Sequence, residues 1–564
     1  MQTASPPPPS PSLSSPPPAP AAGVGAPPAG RPGVAGATAV LAVLLAAGAS
    51  LLLRLPFLRV PLTADEAGYA YVAYWLEQGL VLYRDLWFDR PQAIFGLYAA
   101  VFALVGRSTE AIRLGAAAYN AATVLALAAL ADRLCGRRAA VIAAWVYAAA
   151  SVSPALEGFT ANGELFMNLP AVVAVLLAAR GRPTLAGIAL GLATAVKPTA
   201  LPTALPPALL LACWPLPARR GAAPPAGPPW PGRVDARGAA RLSAGLALGL
   251  TPFVGEGMRT DAVAFWYAVV GFRVQQHSAF AAGPRFFDEL WQALPVAGPA
   301  LLPAWLLAAG WTLKGAWRTP AGGALLAYLA GALAGSALGG YWYWHYFIGV
   351  LPPLAVIAGQ ALTALGRRRR AAAPFALAAT TAVALLVNLR LVGPSPEQTS
   401  WLVYGDRSYL AGDAIAAYLR ERTGPAERIY VAFAQPAIYY LSGRRSAGRH
   451  LYWTEINRVP GAFEAVLEAL DDPERHPTYV LGVQEELERA GRAAPFWERV
   501  RARYRPEAVI GGFVLYRFFG LALPDLPSFE PDGDGDAASS PHPSGDPGDP
   551  GDPGDPAGPA DGAP

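Results

Sequence analysis

The sequence predicts an α-helical polytopic membrane protein with a small α/β domain near its C-terminus. Three observations predict it. Of 564 residues, 53% are hydrophobic and only 15% are charged, against about 25% charged in soluble domains. Apolar runs recur at the ~20-residue length needed to cross a bilayer. Basic residues gather between those runs, as the orientation of membrane helices demands. This composition excludes an ordinary soluble enzyme and a wholly disordered chain. The formal charge is +4, and residues 529–564 hold nine of the acidic groups with no Lys or Arg. A basic soluble protein would suggest nucleic acid. Here membrane orientation accounts for the basic residues, and no nucleic-acid partner is expected. Cys135 and Cys213 lie at or near the ends of apolar segments and support neither a disulfide framework nor a Cys-based metal site.

Taken in order, residues 1–36 contain twelve prolines and one charge, Arg31. That tail cannot bury a core and is expected to be disordered. Apolar segments follow at about 37–55, 91–106, 114–132, 139–156, 165–179, 184–197, 199–214, 242–257, 291–313, 321–338, 346–365 and 371–390. The 91–106 stretch is short and begins at Pro91. If it does not cross and the N-terminus is cytoplasmic, every strongly basic loop falls inside. Those loops carry Arg133, Arg137 and Arg138, then Arg180 and Arg182, then the arginines between 219 and 241, then Lys314 and Arg318, then Arg367 to Arg370. We therefore read 91–106 as lying on the outer surface or re-entering. That leaves about eleven crossings within a transmembrane domain at 37–390 and a first external loop at 56–113. In this loop Ala67–Gly79, with Tyr69, Tyr71, Tyr74 and Trp75, suits an interfacial helix.

Residues 400–519 change character. Helix-like Asp413–Arg422 precedes strand-like Arg428–Ala434; strand-like Tyr479–Val483 precedes helix-like Glu485–Tyr504 and strand-like Ala508–Phe518. This alternation predicts a small α/β domain, which parity places outside the membrane. Residues 520–564, with Gly-Asp-Pro repeated from Gly545 to Pro556, read as a solvated acidic tail.

The constellation that could carry chemistry is Leu62-Thr-Ala-Asp65-Glu66-Ala-Gly-Tyr69, then Tyr83-Arg-Asp85-Leu-Trp-Phe-Asp89-Arg90-Pro91-Gln92. Adjacent carboxylates just outside a membrane helix can supply a general base. The bland alternative makes Asp65 an N-cap and the others ordinary loop charges. Arg90 could pair structurally with Asp85 or Asp89. Lys197 could snorkel from a helix end, and His345 could belong to an aromatic belt. There is no Walker A sequence and no His-Glu-x-x-His. Gly187-x-x-x-Gly191 is most simply a close helix contact.

These elements resemble the glycosyltransferase family 39 group of the type C glycosyltransferase superfamily. That group includes dolichyl-phosphate-mannose–protein mannosyltransferases and bacterial lipid A aminoarabinose transferases. The resemblance lies in the Asp-Glu pair after the first crossing, the Tyr-x-Asp that follows, and the Asp89-Arg90-Pro91 opening an apolar helix. The family form there is close to Asp-x-Lys-Pro-Pro, so a basic residue is kept and the second proline is lost. Further likenesses are Arg113-Leu114, Leu134-Cys-Gly136-Arg-Arg138 and Asn162-Gly-Glu164. Others are the Gly-rich helix leading to Lys197, His345-Tyr-Phe ahead of Leu351-Pro-Pro353, and Tyr439-Tyr-Leu-Ser-Gly443.

The resemblance implies transfer of a hexose or pentose from a polyprenyl-phosphate donor to a lipid, glycan or protein acceptor. The reaction would occur on the outer face of the cytoplasmic membrane. It implies Asp65 as the base, with Glu66 orienting acceptor or base. Lys197, Arg90 and His345 would meet the donor phosphate. Asp85, Asp89, Glu164 and Tyr346 would bind the acceptor or support the site. No metal site is assigned, although Asp85 and Asp89 leave a divalent cation open. The rival reading is a transporter or flippase for a lipid-linked or small solute. Transporters place charge near the bilayer midplane, whereas these acidic residues cluster in an external loop.

Overall fold

A computed structural model describes residues 34–214, 235–275, 285–338, 342–370, 372–432, 435–483 and 493–520. Both terminal tails, His277 and the arginines at 219, 220 and 233 lie outside the described residues.

The membrane portion is a helical array. Its elements are α1 (Val34–Leu52), α2 (Ala64–Glu77), α3 (Ala93–Leu104), α4 (Thr109–Cys135), α5 (Arg137–Ala150), α6 (Gly163–Ala179), α7 (Pro183–Val196), α8 (Ala200–Cys213) and α9 (Ala236–Trp266). They continue with α10 (Arg285–Leu313), α11 (Pro320–Ala337), α12 (Leu351–Arg368) and α13 (Ala372–Leu389). Each of the twelve apolar segments read from the sequence coincides with one of these helices. Among the described residues, five helical stretches are long and apolar enough to span a bilayer by themselves, or six if the bent pair within α10 is one span. Helices α6, α7 and α8 are shorter apolar helices, so length and hydropathy alone do not fix the number of crossings at eleven. Helix α3 has 12 residues, or about 18 Å at 1.5 Å per residue. That is too short to cross, and it packs Ile94, Phe95, Tyr98 and Phe102 inward.

Small residues set the closest helix contact. On α7, a Cβ at Gly187 would stand 2.1 Å from the Leu242 carbonyl of α9, and one at Gly245 would stand 2.0 Å from the Thr184 carbonyl. Only glycine lets these backbones meet.

The C-terminal portion runs α14 (Pro396–Tyr404), α15 (Gly412–Arg422), β1 (Arg428–Val431), α16 (Pro436–Ser442), β2 (Arg445–Ser446), α17 (Trp453–Arg458), α18 (Ala462–Asp471), β3 (Tyr479–Val483), α19 (Ala494–Arg503), β4 (Tyr504–Ile510) and β5 (Phe513–Phe518). Its sheet has the order β2-β1-β3-β5-β4. Strand β1 is parallel to both neighbours, while β5 is antiparallel to β3 and β4. The segment expected to be one strand at 508–518 is a hairpin. Gly511 and Gly512 both take positive φ, 58° and 85°, as a tight hairpin turn requires. One apolar cluster runs without a break from the membrane helices into this domain, taking in Tyr439, Leu451 and Leu481. A second cluster, around Phe496 and Trp497, packs with the sheet residues Tyr430 and Val480.

Helix α2 is therefore not an interfacial helix lying on lipid. Tyr69 and Tyr71 are buried, and Tyr71 meets Tyr439 of the α/β domain at 5.6 Å between ring centres.

Candidate active site

Asp65 stands at the second position of α2. The N-cap is Thr63, not Asp65: its hydroxyl accepts from the Glu66 amide while Glu66 accepts from the Thr63 amide, a capping box. Successive helical residues point about 100° apart, and the Asp-Glu pair divides accordingly. Glu66 turns into the core, fully buried. It accepts from Arg113 Nε at 2.6 Å and Nη2 at 2.7 Å, and from the Ala161 amide at 2.6 Å. A buried bidentate pair of this kind fixes geometry. Glu66 thus anchors the start of α2 against α4 instead of facing a cleft. Asp65 turns the other way and is half-buried, accepting from the Tyr69 hydroxyl at 3.3 Å.

Three cations and a histidine, from four separate segments, act on it electrostatically. Arg90 lies in the loop before α3, buried, and pairs with Asp89 at 2.6 Å. Tyr83, also buried, holds that loop: its hydroxyl donates to the Arg90 carbonyl at 2.8 Å. Tyr83 has φ 70°, a conformation disfavoured for a bulky side chain and over-determined here by packing. Arg273, just beyond α9, closes on the other oxygen of Asp89. Lys197 ends α7 because Pro198 follows, and the residue before a proline is pushed out of the helical region; it is extended at φ −150°, ψ 124°. Its ammonium pairs with Glu164, in the first turn of α6, and stands 4.6 Å from the Tyr346 ring centre. His345 lies on the short helix Trp344–Val350. Its Nδ1 is 3.4 Å from Glu157 Oε2, and Glu157 itself is left-handed, at φ 51°.

Burial pushes the Asp65 carboxyl up, but His345, Arg90, Lys197 and Arg273 together hold it below the ordinary carboxylate range. Asp65 is therefore an ionised carboxylate at neutral pH, in a cluster where Arg90 and Arg273 are also shared with Asp89, Lys197 with Glu164 and His345 with Glu157.

The structure brings Asp65, Arg90, Lys197 and His345 into one cluster, with Asp89, Glu164 and Tyr346 as their partners. Asp85 is not among them. It accepts from the Val81 amide at 2.9 Å and pairs with Arg84 at 2.9 Å, closing its own turn. Asp89 is occupied by two arginines. Among the described residues, no group of three or more His, Cys, Asp or Glu gathers to hold a metal ion. Sequence reasoning missed Arg273, Glu157 and the anchoring role of Arg113. A cavity of about 500 Å³ lies between α2, α3 and α9, walled by Ala73, Leu76, Leu80, Phe95 and Gly96 and reaching Tyr83 and Gln92 beside the Arg90 loop.

A family model described as dolichyl-phosphate-mannose-protein mannosyltransferase matches residues 89–222. The chain is similar to the crystal structure of ArnT from Cupriavidus metallidurans bound to undecaprenyl phosphate. The TM-score is 0.55 at 15% identity, over 87% of this chain and 99% of that one. It is also similar to the apo state of the same protein, with a TM-score of 0.50 at 16% identity, over 87% and 100%. The chain has the type C glycosyltransferase fold. That fold matches the resemblance read from the motifs. The oligosaccharyltransferase of Archaeoglobus fulgidus also matches, with a TM-score of 0.43 at 15% identity over 79% of this chain and 68% of that one. No curated protein matches the chain by sequence.

Proposed function

We propose that this membrane protein is a glycosyltransferase. It moves a sugar from a polyprenyl-phosphate donor to an acceptor hydroxyl on the outer face of the cytoplasmic membrane. One observation carries the reading: a half-buried carboxylate, Asp65, lies in the field of Arg90, Lys197, Arg273 and His345, drawn from four segments. A sugar attached through a phosphate diester needs that pairing. Asp65 takes the proton from the acceptor hydroxyl as its oxygen bonds to the anomeric carbon. The bond from that carbon to the phosphate oxygen breaks, and its electron pair leaves with polyprenyl phosphate. The charge that grows on the departing phosphate meets Arg90, Lys197 and Arg273, so no strong acid is required. One displacement inverts the anomeric centre. The ArnT structure to which the fold is similar holds undecaprenyl phosphate, which supports a donor of this class. The cavity beside the Arg90 loop, mostly apolar but lined also by Glu77 and Glu256, supports entry of its lipid chain from the bilayer.

The test is turnover by purified wild-type protein and Asp65→Asn with a panel of polyprenyl-phosphate monosaccharides and membrane extract as acceptor. The wild type should release polyprenyl phosphate and transfer sugar. The variant should lose at least about 100-fold in kcat. Equal turnover by the variant moves the base elsewhere, and no turnover by folded wild-type protein with any donor sinks the transferase reading.

A further inference from the structure

The α/β domain reaches the first turn of α2 at one point. The Tyr452 hydroxyl donates to the Ala64 carbonyl at 2.9 Å, one residue before Asp65. The space that Tyr452 occupies is left by a missing side chain: a Cβ on Gly68 would stand 2.0 Å from its hydroxyl oxygen. Phe88, in the loop that leads to Asp89, packs edge-on to the Tyr452 ring at 5.6 Å. One residue earlier, the Trp87 amide donates to the Arg449 carbonyl at 3.0 Å. Segment 449–452 thus grips both strands of the cleft, the start of α2 and the loop that carries Arg90.

The start of α2 is held from two sides. From the core, Glu66 locks onto Arg113. From the α/β domain, Tyr452 takes the carbonyl that precedes Asp65. Asp65 sits in the field of Arg90, Lys197, Arg273 and His345, and that field changes as the carboxylate moves relative to them. On that basis, and resting on Asp65 as the base, we propose that Tyr452 is a positioning residue for Asp65. The α/β domain is then a working part of the cleft, setting where the base sits relative to the phosphate-binding cations.

The groups that face Asp65 are Tyr69 on its own helix, the three cations and His345, and Tyr346, Tyr409 and Tyr452. Beyond its cations, the cluster holds Glu164 and Asp89. Tyr452 stays protonated and neutral, since burial raises its pKa well above the ordinary phenol value. Removing its hydroxyl therefore changes position without changing charge.

The experiment compares Tyr452→Phe, Gly68→Ala and Tyr71→Phe with the wild type. Gly68→Ala displaces the Tyr452 hydroxyl without touching Tyr452. Tyr71→Phe removes a domain contact away from Asp65, the bond from the Ser446 amide to the Tyr71 hydroxyl at 2.9 Å. Two readouts are used: steady-state turnover of a polyprenyl-phosphate sugar, and the rate of carbodiimide labelling of Asp65 at pH 5, followed by mass spectrometry. Carbodiimide attacks the protonated carboxyl, so labelling reports Asp65 whether or not the protein turns over. In Tyr452→Phe and Gly68→Ala, kcat should fall roughly 10- to 100-fold, as for a base displaced by a fraction of an ångström. The donor KM should stay within about twofold, and labelling should rise several-fold as Asp65 leaves its cations. Tyr71→Phe should change neither. Wild-type labelling in Tyr452→Phe and Gly68→Ala overturns the positioning role, as does an equal loss in Tyr71→Phe. Absent turnover in the wild type overturns the transferase reading instead, and the labelling still decides Tyr452.

Discussion

Under the proposed function, the charge around Asp65 changes when a donor phosphate binds beside Arg90, Lys197 and Arg273. The basic neighbours hold the Asp65 carboxyl low, which makes it a ready acceptor of protons but a weak one. A donor phosphate among Arg90, Lys197 and Arg273 cancels part of their field, and the Asp65 pKa must then rise. The sign is testable. The acid limb of kcat/KM reports the free enzyme and should lie below the ordinary carboxylate range. The acid limb of kcat reports the donor complex and should lie at higher pH. Coincident limbs would show that the donor phosphate does not sit among these cations. At this scale the sequence was partly legible. Asp65, Arg90, Lys197 and His345 could be named because each sits in a motif or breaks a helix. Helical geometry already implied that adjacent carboxylates cannot face one atom, so the separate task of Glu66 was readable in principle. Arg273 and Glu157 were not readable, since tertiary packing alone delivers them from unremarkable surroundings.

Among the elements, the contact of α7 with α9 shows glycine at its most exacting. Gly245→Ala would set a methyl 2.0 Å from the Thr184 carbonyl, whereas at Gly255, on the same helix, nothing stands within 4 Å. Thermal unfolding in detergent should show Gly245→Ala destabilised by about 1–3 kcal/mol, as overpacked contacts are, and Gly255→Ala near wild type. Equal effects would show that helix propensity, not the contact, governs this site. The Gly187-x-x-x-Gly191 pattern gave this contact away, because spacing on one helix face is local information. The hairpin Tyr504–Phe518 was misread as a single strand although Gly511-Gly512 marked the turn. The helices between 436 and 471 were missed. They are short, of 7, 6 and 10 residues, and owe their form to packing against the sheet and α2 more than to any sustained period.

For the molecule as a whole, the proposal depends on which side of the membrane the cleft occupies. The proposal puts it outside, the side that the basic loops predict by the positive-inside rule. A phosphatase reporter fused after Leu391, active only when exported, should therefore be active. A cytoplasmic result would put Asp65 on the wrong side for a donor presented at the outer face, and the proposed site would fall. The fold class was legible from composition and run length because a bilayer imposes one demand on every span. The docking of the α/β domain onto α2 was not, since aromatic side chains such as Tyr71 suit a lipid interface and a protein interface equally well.

The hydrogen bond from Tyr452 to Ala64 joins residues 388 positions apart. Synthesis begins at the N-terminus, so the first cleft residues emerge long before their last support. A nascent chain carrying every membrane helix but stalled before Ser446 has the cations and the carboxylate, and lacks the segment that grips them. Under the proposed function, a fragment clipped after α13 would keep Asp65 and its basic neighbours without the Tyr452 contact, and should turn donor over more slowly than the full chain.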